Sequence, residues 1–254
     1  MHIDPRLLLP VALTLALLGC RPDEEVEPEP TPVTTGTLRV VVVPKWEGGP
    51  FTMNAEYVNV SNYRIKVEAL KFYWGDVHLL NGTSSTLVKD VELFNLQSGS
   101  AEATWTVSPG TWSGMHLGLG VPQAMNDADP INYPPGHPLD LANGTYWSWA
   151  TAYRFLLFDG RYDLDGSGTG ALLQPFSMHT GLNDVYREFD LDFGGDVTVS
   201  AGNTTTLTIH MAVDKLFYSA TDTLDLAVEN QSHGTNMPLA LELTDNAIHS
   251  FSLE

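Results

Sequence analysis

The chain has 254 residues, 43% of them hydrophobic, so it is long and apolar enough to bury a substantial core. It carries 31 acidic and 12 basic side chains, and a formal net charge of −19 would repel both the phosphates of nucleic acids and anionic membrane surfaces. We therefore expect no nucleic-acid partner.

Residues 1–19 have the pattern of an export signal. Arg6 precedes an apolar run that is too short to cross a membrane. The run ends in Leu17-Leu18-Gly19-Cys20, which resembles the lipobox of bacterial lipoproteins, where the cysteine is acylated and becomes the first residue. We predict a signal peptide at 1–19, a lipidated Cys20, and attachment to the cell envelope, at the outer membrane, through lipid alone. The alternative is an ordinary signal with a chance cysteine.

Cys20 is the only cysteine in the chain. If it carries lipid, the folded part has no thiolate. Zinc ribbons, iron–sulfur clusters, cysteine nucleophiles and blue-copper centres are then excluded, because each needs cysteine ligands or nucleophiles. A transition-metal site would depend on histidine, methionine, carboxylates or modified aromatic residues.

Residues 20–37 are acidic and rich in proline, which predicts an extended linker before a folded domain at 38–254. Short apolar runs separated by turn residues dominate that domain, beginning with LRVVVV, YRIKVEALKFYWGDVHLL and, after the turn at Asn81-Gly82, TLVKDVELFNL. The same rhythm continues through TTTLTIHMAV and LALELT. This pattern predicts an all-β sandwich of short antiparallel strands with few short helices, of which DKLFYS (214–219) is the best candidate.

Two of these segments place reactive side chains on one strand face. In FYWGDVHLL, strict alternation puts Phe72, Trp74, Asp76 and His78 on the same side. In YWSWATAYRF, read as one strand, Trp147 and Trp149 share a face. Packing explains such aromatic pairs, and so does a binding site; the alternation leaves both interpretations open.

The segment DLDGSG matches four positions of a calcium-binding loop. Asp163, Asp165 and Ser167 stand where the first oxygen ligands would lie, and Gly168 stands at the sharp turn. Gln174 occupies the position of the usual bidentate glutamate, and no helical pattern flanks the loop. A calcium site and a plain Asp-Gly turn remain the two interpretations.

No common catalytic signature is present in the chain. We therefore expect a protein that is not an enzyme. The histidines of the mature chain are scattered singly, so any metal site would have to be assembled from different strands.

Four segments in series carry a family resemblance: LKFYWGDVHLL, LGLGVPQAMN, HPLDLANGTYWSWATAYRFLLFDG and PFSMHTG. Their order and spacing resemble those of the MbnP-like copper-binding family. The resemblance implies a secreted or lipid-anchored β-sandwich that binds copper, associated with a di-haem peroxidase-like partner that can oxidise a tryptophan near the metal to kynurenine.

Carried over residue by residue, the resemblance assigns His179 as a metal ligand and Trp147 or Trp149 as the modified tryptophan. The second ligand stays open among His78, His116 and His233. We therefore expect an envelope lipoprotein that binds copper and acts in copper acquisition or handling. The alternative is a β-sandwich module, stabilised by calcium, that binds a glycan or a protein.

Overall fold

The computed structural model describes residues 34–148, 152–234 and 236–254. The strands are β1 Gly36–Trp46, β2 Gly49–Pro50, β3 Glu56–Val58, β4 Arg64–Asn81, β5 Ser84–Asn95, β6 Ala101–Val107, β7 Gly110–Leu119, β8 Tyr146–Trp147, β9 Ala152–Asp163, β10 Gln174–Gly181, β11 Arg187–Val199, β12 Thr204–Ala212, β13 Gln231–His233 and β14 Phe251–Leu253. The α-helices are α1 Gln123–Asn126 and α2 Met237–Ile248, with short 3-10 helices at Leu96–Ser98, Pro130–Asn132, Leu141–Asn143, Asn183–Val185 and Val213–Phe217.

The described strands form two sheets, which confirms the predicted all-β sandwich. A five-stranded sheet has the order β14-β12-β1-β2, with β6 also paired to β1. A nine-stranded sheet has the order β11-β7-β4-β9-β10-β13, with β3 and β5 also paired to β4 and β8 also paired to β9. The expectation of purely antiparallel pairing is wrong, because β1 runs parallel to β12 and β10 runs parallel to β13.

The main core lies between the inner faces of these sheets. Along β1 every second residue is buried, as the period of two requires for a strand with one face inward. Val40 and Val42 of β1 join the same apolar cluster as Phe158 of β9 and Met178 of β10. The alternation in PFSMHTG therefore sends Phe176 and Met178 inward and leaves Ser177 and His179 on the outer face of β10.

A second apolar cluster covers that outer face of the larger sheet. Tyr73 of β4 and Tyr153 of β9 pack there with Leu139 and Val121 from the segment that connects β7 to β8. The Tyr73 hydroxyl donates to the Pro138 carbonyl over 3.0 Å, and the Tyr153 hydroxyl donates to the Leu139 carbonyl over 2.7 Å. These bonds hold the segment between β7 and β8 against the sheet and so position β8 beside the outer face.

The segment LALELT (239–244) is helical, so its prediction as a strand is wrong. It lies in α2, which starts with Pro238 in its first turn and an Asn236 side chain that accepts from the Leu239 amide over 3.4 Å. Leu239, Leu243 and Ala247 recur at helical spacing and are all buried in the main core. The leucines of LALELT fit both the strand period of two and the helical period of 3.6. The capping residues Asn236 and Pro238 favour the helix.

A β-bulge changes which face His78 occupies. Strand β4 shifts register between Gly75 and His78, and Asp76 has a left-handed φ of 45°. Phe72 and Trp74 lie in the main core, but beyond the bulge Val77 and Leu79 take the core positions instead. The predicted common face of Phe72, Trp74, Asp76 and His78 is therefore wrong, because one extra residue reverses the alternation.

The structure also tests the predicted hairpin turn, the helix candidate at 214–219 and the start of the folded domain. Strand β4 ends at Asn81, and Gly82 has a φ of 57°, as the predicted hairpin turn into β5 requires. The helix candidate at 214–219 corresponds to a 3-10 helix, Val213–Phe217. The first strand starts at Gly36, inside the segment expected to be linker. Among the described residues, no helix is both long and apolar enough to cross a membrane.

Candidate metal centre

Strands β9, β10 and β13 bring two of the candidate histidines together. The register pairs His179 of β10 with Leu157 of β9 on one side and with His233 of β13 on the other. The two imidazole centroids lie 5.1 Å apart. Of the three residues considered for the second ligand, His233 is the one that lies beside His179.

Trp147 completes a group of three rings. Its indole lies 4.9 Å from the His179 ring and 5.5 Å from the His233 ring, both measured between centroids. Strand β8 ends at Trp147, which pairs antiparallel with Ala152 at the start of β9. The prediction that YWSWATAYRF forms one strand is therefore wrong, whereas the predicted shared face of Trp147 and Trp149 stays a prediction. Trp149 itself lies outside the described residues.

A row of polar residues beneath the histidines orients both rings. Asp159 of β9 pairs in register with Ser177 of β10. His179 Nε2 lies 2.8 Å from Asp159 Oδ1, and the Ser177 hydroxyl lies 2.7 Å from the same oxygen. His233 Nε2 lies 2.9 Å from the Ser177 hydroxyl. Because a carboxylate can only accept, the chain runs from His233 through Ser177 to Asp159, which also accepts from His179.

This network determines the tautomer of His179. If Nε2–H donates to Asp159, the neutral ring carries its lone pair on Nδ1. His179 is 5% exposed, and its Nδ1 is buried without a hydrogen-bond partner among the described residues. A buried nitrogen with an unused lone pair is costly unless something binds it. A carboxylate that holds the other ring nitrogen is the usual companion of a histidine metal ligand.

The ring spacing fits one shared metal ion. Metal–nitrogen bonds of about 2.0 Å place the metal about 3.2 Å from each ring centroid, so two ligating imidazoles have centroids at most about 6.4 Å apart. The His179–His233 separation of 5.1 Å is within that limit and corresponds to a ligand–metal–ligand angle of about 105°. The described residues contain no preformed group of three or more His, Cys, Asp or Glu ligands. The centre therefore offers two imidazoles, a donor set that suits copper.

Burial and neighbouring groups favour the neutral form of His233 and the ionised form of Asp159. Burial and the neighbouring His179 lower the pKa of His233, which favours the neutral imidazole that metals bind. Burial opposes ionisation of Asp159, but hydrogen bonds from His179 and Ser177 outweigh it and lower the pKa of Asp159 below its ordinary value. The Arg154 guanidinium lies 4.3 Å above the Trp147 ring and is the nearby cation.

His78 and His116 lie elsewhere on the larger sheet. They are paired with each other across β4 and β7. The ladder between β4 and β9 ends at Phe72 and Leu156, before the bulge that precedes His78. The structure therefore separates the four histidines considered for the metal into two pairs, His179 with His233 and His78 with His116.

The loop predicted to bind calcium uses its carboxylates internally. Asp163 Oδ2 lies 3.3 Å from the Arg64 guanidinium, and Asp163 Oδ1 accepts from the Asp165 amide over 3.1 Å. Asp165 Oδ1 accepts from the amide and the hydroxyl of Ser167 over 3.0 Å and 2.7 Å. Arg64 therefore places positive charge beside Asp163, one of the predicted ligands. A calcium ion here stays a prediction.

Three residues of the centre, Ser177, Asp159 and Arg154, were not predicted from the sequence. Ser177 stands two residues before His179 on the same strand face, so the period of two could have indicated it. Asp159 and Arg154 could not be identified, because their approach to His179 depends on the register between β9 and β10. The predicted signal peptide, Cys20 and most of the linker lie outside the described residues.

Comparison with known proteins agrees with this fold. The family model described as MbnP matches residues 35–237 of the chain. A solved structure, MbnP from Methylosinus trichosporium, superposes with a TM-score of 0.53 at 14% sequence identity, over 82% of this chain and 88% of that chain. At that identity the likeness shows a common fold. A comparison with curated proteins finds no match.

Proposed function

Because the chain belongs to the MbnP family, we propose that it is a copper-binding lipoprotein of the cell envelope that acts in copper acquisition or handling. One observation carries the proposal. His179 and His233 lie side by side under Trp147, and the Nδ1 atom of His179 is buried with its hydrogen-bonding capacity unused. A metal ion at this point would satisfy the buried nitrogen.

Each residue of the centre has a distinct part in this proposal. His179 Nδ1 is one ligand atom, and His233 supplies the second imidazole. Asp159 orients the His179 ring and Ser177 orients the His233 ring. A metal bound at His233 Nδ1 would replace the 3.3 Å contact of that nitrogen with the Gln231 side-chain amide. The copper ion is cargo that the protein binds and releases, and we propose no reaction catalysed by this chain.

Trp147 is the tryptophan that we propose for oxidation to kynurenine. The motivation is its contact with both histidine rings, at 4.9 Å and 5.5 Å between centroids. Peroxide, used by a di-haem peroxidase-like partner, would supply two oxygen atoms that cleave the C2–C3 bond of the indole to give N-formylkynurenine. Hydrolysis would then release C2 as formate and leave kynurenine. The chain itself would then be the substrate of that oxidation. The new carbonyl and amino groups would stand beside the two imidazoles as additional polar groups for the metal.

The first twenty residues support the proposed envelope location. An apolar run ending in Leu18-Gly19-Cys20 and an acidic, proline-rich linker are the features of a lipid-tethered domain. A formal charge of −19 fits a domain held near a membrane by its lipid and not by its own surface.

Copper titration of the purified, untagged protein tests the proposal. The protein should bind one equivalent of Cu(I) in competition with a colorimetric chelator, and either His179→Ala or His233→Ala should remove that equivalent. His210→Ala is the matched control, because His210 is also a strand histidine near a carboxylate, Glu254, at 3.6 Å. Full copper binding by His179→Ala would show that the site lies elsewhere.

Intact mass tests the tryptophan. Protein produced together with the oxidising partner should carry the mass change of kynurenine, and Trp147→Phe should prevent it. Phenylalanine retains most of the ring packing, so the fold should persist. The same mass change in the Trp147→Phe protein would assign the oxidation to another tryptophan.

A further inference from the structure

His78 and His116 form a second pair of imidazoles on the outer face of the larger sheet. They stand opposite each other in the antiparallel ladder of β4 and β7, and their ring centroids are 6.2 Å apart. Asp190 of β11 pairs in register with His116 on the other side. Side chains directly opposite on neighbouring strands project from the same face, so these three form one row across the sheet.

Hydrogen bonds leave the outer nitrogen of each ring available. His116 Nδ1 lies 2.7 Å from Asp190 Oδ1, so Nδ1–H donates and the lone pair is on Nε2. His78 Nδ1 lies 2.8 Å from the Ser85 hydroxyl. A hydroxyl accepts as readily as it donates, so His78 can also carry its proton on Nδ1 and present Nε2. Carboxylate and hydroxyl partners of this kind orient histidine ligands in metal sites.

A carboxylate from the next strand approaches the same nitrogen. Glu188 Oε1 lies 3.8 Å from His116 Nε2. That distance is too long for a hydrogen bond. It is within the about 4.2 Å that can separate a nitrogen and an oxygen bound to the same metal at about 2.0–2.2 Å. Strand β11 therefore offers an oxygen ligand where a metal bound to His116 would lie.

The distance between the two imidazole rings also permits His78 and His116 to bind one metal ion. Centroids 6.2 Å apart are just within the limit of about 6.4 Å for two imidazoles on one metal, at an angle of about 150°. A small rotation of either ring would narrow the angle. The His116 side chain is 34% exposed and that of Glu188 61% exposed, so both can rotate without disturbing the core.

We propose that His78, His116 and Glu188 form a second metal site, distinct from the His179–His233 centre, that binds a divalent transition metal ion such as Zn²⁺ or Cu²⁺. Two imidazoles and a carboxylate are the donor set of these ions, and water can occupy the remaining position. The surrounding acidic surface raises the local concentration of cations. The site is assembled from exposed side chains, so it binds more weakly than a preorganised site.

Zinc titration by calorimetry tests the proposal. The protein is the full mature chain carrying His179→Ala and His233→Ala, which removes the first centre. It should bind one equivalent of Zn²⁺. Adding His78→Ala or His116→Ala should remove that equivalent, and Glu188→Gln should weaken binding about tenfold. His210→Ala, added in the same way, should leave it unchanged, because His210 has a carboxylate neighbour but is not paired with a second imidazole in the ladder.

The outcomes separate this proposal from the copper centre. Absence of any zinc equivalent, or an equivalent that survives both His78→Ala and His116→Ala, overturns it whatever the copper titration shows. Should the multiple variant fail to fold, histidine ¹⁵N spectra of the unsubstituted protein decide instead. Zinc should then shift the Nε2 signals of His78 and His116 together, and a shift of neither overturns the proposal.

Discussion

Replacing Asp159 by asparagine tests how the sheet prepares His179 for copper. Asp159 accepts a hydrogen bond from His179 Nε2 over 2.8 Å, and that bond leaves Nδ1 as the free ligand atom. Asparagine keeps the size of the side chain and removes its charge. Its amide can also present N–H to Nε2, which would move the ring proton to Nδ1 and block the ligand atom. We expect Asp159→Asn to fold and to bind copper more weakly.

The loss can be estimated from the geometry. With the 2.8 Å hydrogen bond, the width of the ring and a copper–nitrogen bond, the carboxylate lies about 6.5 Å from the ion. Unit charges at that distance attract each other by about 2.5 kcal/mol at an effective dielectric constant near 20, which corresponds to about 70-fold in affinity. Solvent near the partly exposed Asp159 reduces that value. Removal of such hydrogen-bonded partners of ligands costs about 10–100-fold, so we expect about 10–70-fold.

The assay is competition for Cu(I) against a chelator of known affinity at one pH. Asp190→Asn is the matched control, because Asp190 makes the same contact with His116 over 2.7 Å but lies at the other histidine pair. It should leave copper affinity unchanged. Equal copper affinities for Asp159→Asn and the unsubstituted protein would refute the orientation argument, provided that both have the same melting temperature.

Three further predictions concern anchoring, pH and calcium. Cys20→Ser should release a folded protein into the soluble fraction, and continued sedimentation with membranes would exclude acylation as the anchor. Burial and the charges of Glu229 and Asp222 raise the pKa of Glu242 to about 7, so the free energy of unfolding should fall as pH rises from about 4.5 to about 7. Glu242→Gln should therefore raise the melting temperature at pH 8 and leave it unchanged at pH 4. The gain in the free energy of unfolding at pH 8 should be about 1 kcal/mol or less, because the side chain is half-buried. Equal shifts of the melting temperature at both pH values would contradict this. Millimolar calcium should raise the melting temperature by a few degrees at most, because binding would stabilise the folded state by about 1–3 kcal/mol. Asp165→Ala should abolish this response. If calcium does not change the melting temperature of the unsubstituted protein, the loop is a turn and not a calcium site.

Local features of the fold could be predicted because they depend on neighbours in the sequence. The hairpin at Asn81 and Gly82 needs only the turn residues and the flanking alternation. The inward and outward faces of PFSMHTG follow from the period of two. By contrast, the bulge at Asp76 inserts one residue into the alternation, and the face of His78 was therefore assigned wrongly. The isolated Gly75 inside the strand pattern is the signal in FYWGDVHLL that could have indicated it.

The composition of the centre depends on pairings that the sequence does not encode locally. His233 lies beside His179 because β13 pairs parallel with β10 across a long connection. Asp159 reaches His179 only through the register of β9 and β10. The resemblance made His179 a candidate ligand and left three candidates for the second. The sheet reduces these to one neighbour, since His78 and His116 pair with each other.

Anomalous diffraction at the copper edge, from crystals of the copper-loaded protein, tests the central proposal most directly. We predict an anomalous peak within bonding distance of His179 Nδ1 and of the His233 imidazole, beside the Trp147 ring and with Asp159 still bonded to His179 Nε2. A peak bonded to His179 Nε2 would contradict the proposed tautomer. A copper peak remote from both histidines, with none at this centre, would contradict the proposed function.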